Sequence, residues 1–167
     1  MFPAALQAVL EYGHILSAVG WLGAGMFTAF VLGPLTQQLP PPTALALNAK
    51  LIPKLLRYVT MMVASTLLFG ILLLYVYVGG DFSTLSTNVE GMELMGGVAL
   101  ALVTAAVAFL VTIPSFNKVA KIAAELVQSG GAPPAEFKGY AKRAKTGALI
   151  GVFLLFAVVA FMVAAGY

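Results

Sequence analysis

Four long apolar stretches without a basic residue dominate this chain and limit what it can fold into. They run from about Leu6 to Leu35, Tyr58 to Val78, Leu94 to Phe116 and Thr146 to Ala165. Each reaches the roughly 20 residues that a helix needs to cross about 30 Å of hydrocarbon. Lipid offers the backbone no hydrogen bonds, so a spanning segment must be a helix or a closed-barrel strand, and continuous apolar runs mean helices. Charged residues make up only 9% of the chain and hydrophobic ones 61%, against roughly 25% charged in soluble domains. The expectation is an all-α, integral membrane, antiparallel four-helix bundle forming a single domain over residues 1–167, with the lipid bilayer as its first partner.

The basic residues predict the orientation. Lys50, Lys54 and Arg57 fall between the first two spans, and Lys118, Lys121, Lys138, Lys142, Arg143 and Lys145 between the last two. All nine lie on one side, which the positive-inside rule assigns to the cytoplasm of a multi-pass plasma-membrane protein. Both termini then face outward, as does the loop with Asp81, Glu90 and Glu93. No basic stripe interleaves with aromatics, so the net charge of +3 reads as topology, and nucleic acid is excluded as a partner. The N-terminus lacks the basic start and short apolar core of a cleaved signal peptide. Absence of cysteine excludes disulfides, iron–sulfur clusters and covalently attached haem.

Helical extensions are expected on the cytoplasmic side at about 43–57 and 117–145. Thr43 is positioned to cap the first, and Pro53 to bend it into the second span. Ser129-Gly130-Gly131-Ala132-Pro133-Pro134 breaks the other into a hairpin packed by Ile122, Leu126 and Phe137. Gly13, Ser17, Gly20 and Ala24 in span one, and Gly147 with Gly151 in span four, allow close helix approach in lipid and fit a homo-oligomer. Tyr58, Tyr75, Tyr77, Tyr140 and Tyr167 read as interfacial anchors.

His14 is the only histidine in the chain, and it lies inside span one. An ionisable ring at membrane depth normally faces a partner, a cavity or a cofactor. Trp21 follows seven residues later on the same helix face, about 10 Å deeper at 1.5 Å per residue. Glu11, Tyr12, Ser17, Met95 and Met162 fall at similar depth and are expected to share an outer-half pocket with His14. Haem b takes an axial histidine with an optional methionine opposite, so His14, Met95 and Met162 are the candidate iron ligands. Copper(I) favours thioethers and accepts imidazole, which leaves a copper-handling protein as an alternative. A structural subunit of a larger complex, with His14 bonding between helices, is the third reading.

The pattern His14-x6-Trp21-x-Gly23-x-Gly25, followed by Pro34, resembles the first helix of small haem-associated membrane proteins. These are the copper-resistance D (CopD)-like proteins and the HemJ-type protoporphyrinogen oxidases. Arg57 before span two and Lys142-Arg143 before span four fit the same layout. The HemJ-type Pro-Arg pair is replaced here by Ala29-Phe30, and further histidines for bis-histidine ligation are absent. The resemblance therefore implies a relative of the CopD-like group: a haem-dependent oxidoreductase or electron-transfer protein with a redox partner.

Overall fold

The computed structural model describes residues 3–87 and 89–165, so Tyr167 lies outside the described residues. Four long helices carry the chain: α1 (Ala4–Gln38), α2 (Pro41–Val78), α3 (Val89–Ser129) and α4 (Ala135–Ala164). All four are long and apolar enough to cross a membrane, and no strand occurs among the described residues. The protein is an all-α, multi-pass membrane four-helix bundle.

The helices are longer than the apolar runs because the polar extensions continue them without a break. α2 begins at Pro41, with Pro40 as its cap residue and no side-chain cap bond. Proline fits the first turn because its missing N–H would be unpaired there anyway, and Thr43 therefore caps nothing. Pro53 is accommodated inside the same helix rather than ending it. The expected hairpin of α3 and α4 gains a third member. Ile52 and Leu56 of α2 form a buried cluster with Val119 and Ala120 of α3, and Phe137 and Tyr140 of α4 pack against it. This cluster brings all nine basic residues to one end of the bundle. That end is called inner below, following the positive-inside rule.

Two features escaped the sequence pattern. α1 and α3 each contain a widened π turn, at Phe27–Leu32 and Ala108–Thr112. Both turns sit just before a proline, Pro34 and Pro114. The N–H of Gly33 reaches back to the Thr28 carbonyl, and that of Ile113 to the Ala108 carbonyl. A proline ring clashes with the carbonyl one turn earlier and donates nothing to it. Widening the preceding turn relieves that clash without ending the helix.

At the outer end, a short 3-10 turn at Phe82–Ser86 joins α2 to α3. The Asp81 carboxylate accepts bonds from the Ser83 hydroxyl at 2.7 Å and the Ser83 N–H at 3.0 Å. Those two bonds hold its carboxyl below the usual carboxylate range. Leu85 drops from this turn into a buried cluster with Val78, Leu94 and Ala165, which closes the bundle over α2, α3 and α4.

In lipid there is no hydrophobic drive between helices, so close packing decides which faces meet. The small residues of α1 face α2. A methyl group at Gly13 would lie 2.9 Å from the Phe69 ring, and one at Gly20 would lie 2.7 Å from the Met62 sulfur. Gly96 and Gly97 of α3 receive Phe161 and Met162 of α4 in the same way. The result is two tight hairpins, α1 with α2 and α3 with α4. They join firmly on the inner half, where α2 packs on the last turns of α3 and Gly25 of α1 meets Val152 of α4.

A candidate cofactor site between the hairpins

On the outer half the two hairpins part, leaving a slot of about 620 Å³ lined by all four helices. Small-molecule and cofactor sites typically enclose about 300–1,000 Å³ behind mostly apolar walls with few polar groups. This slot fits that description. Its polar groups come from Glu11, His14 and Trp21 of α1 and Thr66 and Tyr77 of α2, and aliphatic side chains such as Leu67, Leu74, Val98 and Val158 make up the walls.

His14 is held from α2. Its Nδ1 lies 3.0 Å from the backbone carbonyl oxygen of Thr66. A carbonyl can only accept, so Nδ1 carries the proton and donates it. Gly70, one turn further along α2, makes room for the ring. A methyl group there would lie 2.9 Å from Cε1 and 3.0 Å from Nδ1. Nε2 makes no hydrogen bond among the described residues and is not fully buried, in a ring that lines the slot. In the neutral ring it presents a lone pair. An imidazole with Nδ1–H fixed to a backbone carbonyl and Nε2 open is the arrangement that metal-binding histidines use.

Trp21 forms the floor. It is 5% exposed and packs with Val63 of α2, Ala105 and Ala108 of α3 and Leu155 of α4, so one side chain ties together all four helices. Beneath it lies a second cavity of about 60 Å³, lined by Thr28, Thr104, Thr112 and Gly151 among others. Trp21 and Leu155 border both spaces and separate them.

The remaining candidates divide. Glu11 and Met162 line the slot, Met162 from the wall opposite His14. Glu11 also accepts a 2.8 Å bond from the Gln7 amide. Tyr12 is 70% exposed on the lipid face, because two residues along a helix turn a side chain about 200° from His14. Met95 likewise points outward, half exposed, while its neighbour Leu94 is buried. Ser17 is buried but turned onto its own helix, donating to the carbonyls of Gly13 at 2.7 Å and His14 at 3.1 Å. The slot thus gathers Glu11, His14, Trp21 and Met162. Thr66 and Gly70, which set the histidine, carry no sequence signal, because their contribution is a backbone carbonyl and a missing side chain. No group of three or more His, Cys, Asp or Glu side chains suited to a metal ion occurs among the described residues. No family model, curated protein or solved structure matches the chain.

Proposed function

We propose that this protein is a b-type haem protein of the plasma membrane, with His14 as axial ligand to the iron, working in electron transfer or small-molecule redox chemistry. The observation that carries the reading is the His14 ring, anchored through Nδ1 to the Thr66 carbonyl and lining a largely apolar slot of about 620 Å³. A histidine that served only to bond two helices would need the clearance at Gly70 but no slot beside it.

The donor set favours a porphyrin over bare copper. Copper(I) sites collect several soft ligands, whereas Met162 is the one methionine lining this slot among the described residues. A porphyrin brings four nitrogens of its own, so one imidazole suffices. Bound haem supplies reversible one-electron chemistry at its iron. The protein's own residues do the rest. Thr66 fixes the ring tautomer and raises the basicity of Nε2. The aliphatic walls exclude water, and Met162 offers a thioether from the facing wall. All nine cations lie at the inner end, so the haem carboxylates belong at the wet outer surface beside polar, uncharged groups.

Protein purified from haem-replete cells tests this. Haem b released by acid and quantified as its pyridine complex is expected in the wild type and in reduced amount in His14→Ala. A colourless wild type that fails to take up added haemin overturns the reading. Copper bound stoichiometrically in the same sample would replace haem with the metal-handling alternative.

A further inference from the structure

The slot is closed at its inner end, partly covered at its outer end and open at its sides. Trp21 and Leu155 close it toward the inner half. Toward the outer surface, Leu85 and its cluster cover the α2, α3 and α4 side, with Met162 packed against them. The edges are different. Ile15 and Val19 of α1 and Val159 and Val163 of α4 all line the slot, yet each is between 47% and 66% exposed on the lipid-facing surface.

The same holds on the opposite edge for Ile71 of α2 and Leu102 of α3, at 62% and 52% exposed. A side chain that lines an internal space while facing lipid marks a mouth. These mouths follow from the packing. Gly25 and Val152 bring α1 and α4 together on the inner half only, and Val159 and Val163 continue the Val152 face of α4 two and three turns further out, where α1 no longer covers it.

We infer that the ligand of this slot enters and leaves sideways, through the bilayer, by the lipid-facing gaps between α1 and α4 and between α2 and α3. The inference rests on the haem reading for the identity of the ligand. Haem suits such a route: it is flat, matching a slot bounded by two helical layers, and its macrocycle is apolar enough to travel in hydrocarbon. A ligand coming from water would have to pass the Trp21 floor, or the outer rim where the Leu85 cluster leaves only the α1 side uncovered. The site is thus built for exchange with the membrane pool rather than for permanent enclosure.

The chain has no cysteine, so paired cysteines can staple each edge selectively. Val19→Cys with Val159→Cys addresses one mouth, and Ile71→Cys with Leu102→Cys the other. Both pairs would be bridged in proteoliposomes with a cleavable bis-thiosulfonate, and haemin supplied from vesicles preloaded with it. Stapling both edges is expected to abolish uptake over the period in which the unbridged variant saturates, and reductant is expected to restore it. Haem loaded before stapling is expected to remain bound. Uptake that continues unchanged with both edges stapled overturns lateral entry while leaving haem binding intact. An unbridged variant and a wild type that both fail to bind haemin remove the haem reading itself, and lateral haem entry with it.

Discussion

The His14 Nδ1 of α1 lies 3.0 Å from the Thr66 carbonyl of α2, across a helix contact where Gly70 leaves room for nothing larger than hydrogen. Three residues thus set one nitrogen, and each can be disturbed separately.

Gly70→Ala is the sharpest disturbance. Alanine normally stabilises a helix interior by about 0.5–1 kcal/mol over glycine. Here its methyl would enter within 3.0 Å of the imidazole, and overpacking of this kind costs typically 1–3 kcal/mol. The net effect is expected to be destabilising, with weaker haem binding because the ring must leave Thr66. Unfolding in mixed detergent and a haemin titration measure the two effects. A stabilised variant with unchanged haem affinity would show that the clearance is irrelevant.

Met162 and Met95 should behave oppositely. Met162 lines the slot across from His14, whereas Met95 faces lipid. Met162→Leu is expected to convert a low-spin spectrum to high-spin, and Met95→Leu to leave it unchanged. If the two replacements leave the same low-spin spectrum and the stoichiometry is one haem per two chains, a pair of His14 residues from two copies supplies both axial ligands instead.

The glycines of α4 make a paired test of packing. A methyl at Gly147 would lie 2.5 Å from the Thr112 hydroxyl oxygen, while one at Gly151 meets nothing within 4 Å. Gly147→Ala is expected to lower stability by roughly 1–3 kcal/mol, and Gly151→Ala to leave it the same or raise it by up to about 1 kcal/mol. Equal losses at both positions would place the α3–α4 contact elsewhere.

Orientation is checked with single cysteines at Ser83, in the outer turn, and Ser129, at the end of α3. A membrane-impermeant thiol reagent on intact cells is expected to label Ser83→Cys and to spare Ser129→Cys. The reverse pattern would put the slot in the cytoplasmic half.

The bundle was legible in the sequence because lipid leaves the backbone so few choices. Four apolar runs gave four helices, and the small residues of span one marked a face for close helix approach without saying which helix meets it; Gly13 and Gly20 turn to α2. The helix ends were less legible. Pro53 and the polar segments after Phe116 signal breaks in a soluble chain, yet here neighbouring helices support them. The π turns before Pro34 and Pro114 depend on backbone geometry that residue identity does not reveal. For the site, depth along each span grouped Glu11, His14 and Met162, which line one slot, but depth cannot say which way a side chain points. Tyr12 and Met95 share that depth and face lipid. Thr66 and Gly70 were invisible because their roles lie in a carbonyl and an absence.

Ligation of haem iron by His14 Nε2 is tested most directly by ligand rescue of a truncated histidine. His14→Gly removes the imidazole but leaves the slot walls, so free imidazole can take its place at the iron. The His14→Gly protein is expected to show a weakened, shifted Soret band. Millimolar imidazole should restore the wild-type spectrum, and the same treatment should leave the wild type unaltered. A His14→Gly protein whose haem content and spectrum match the wild type without imidazole would contradict that ligation.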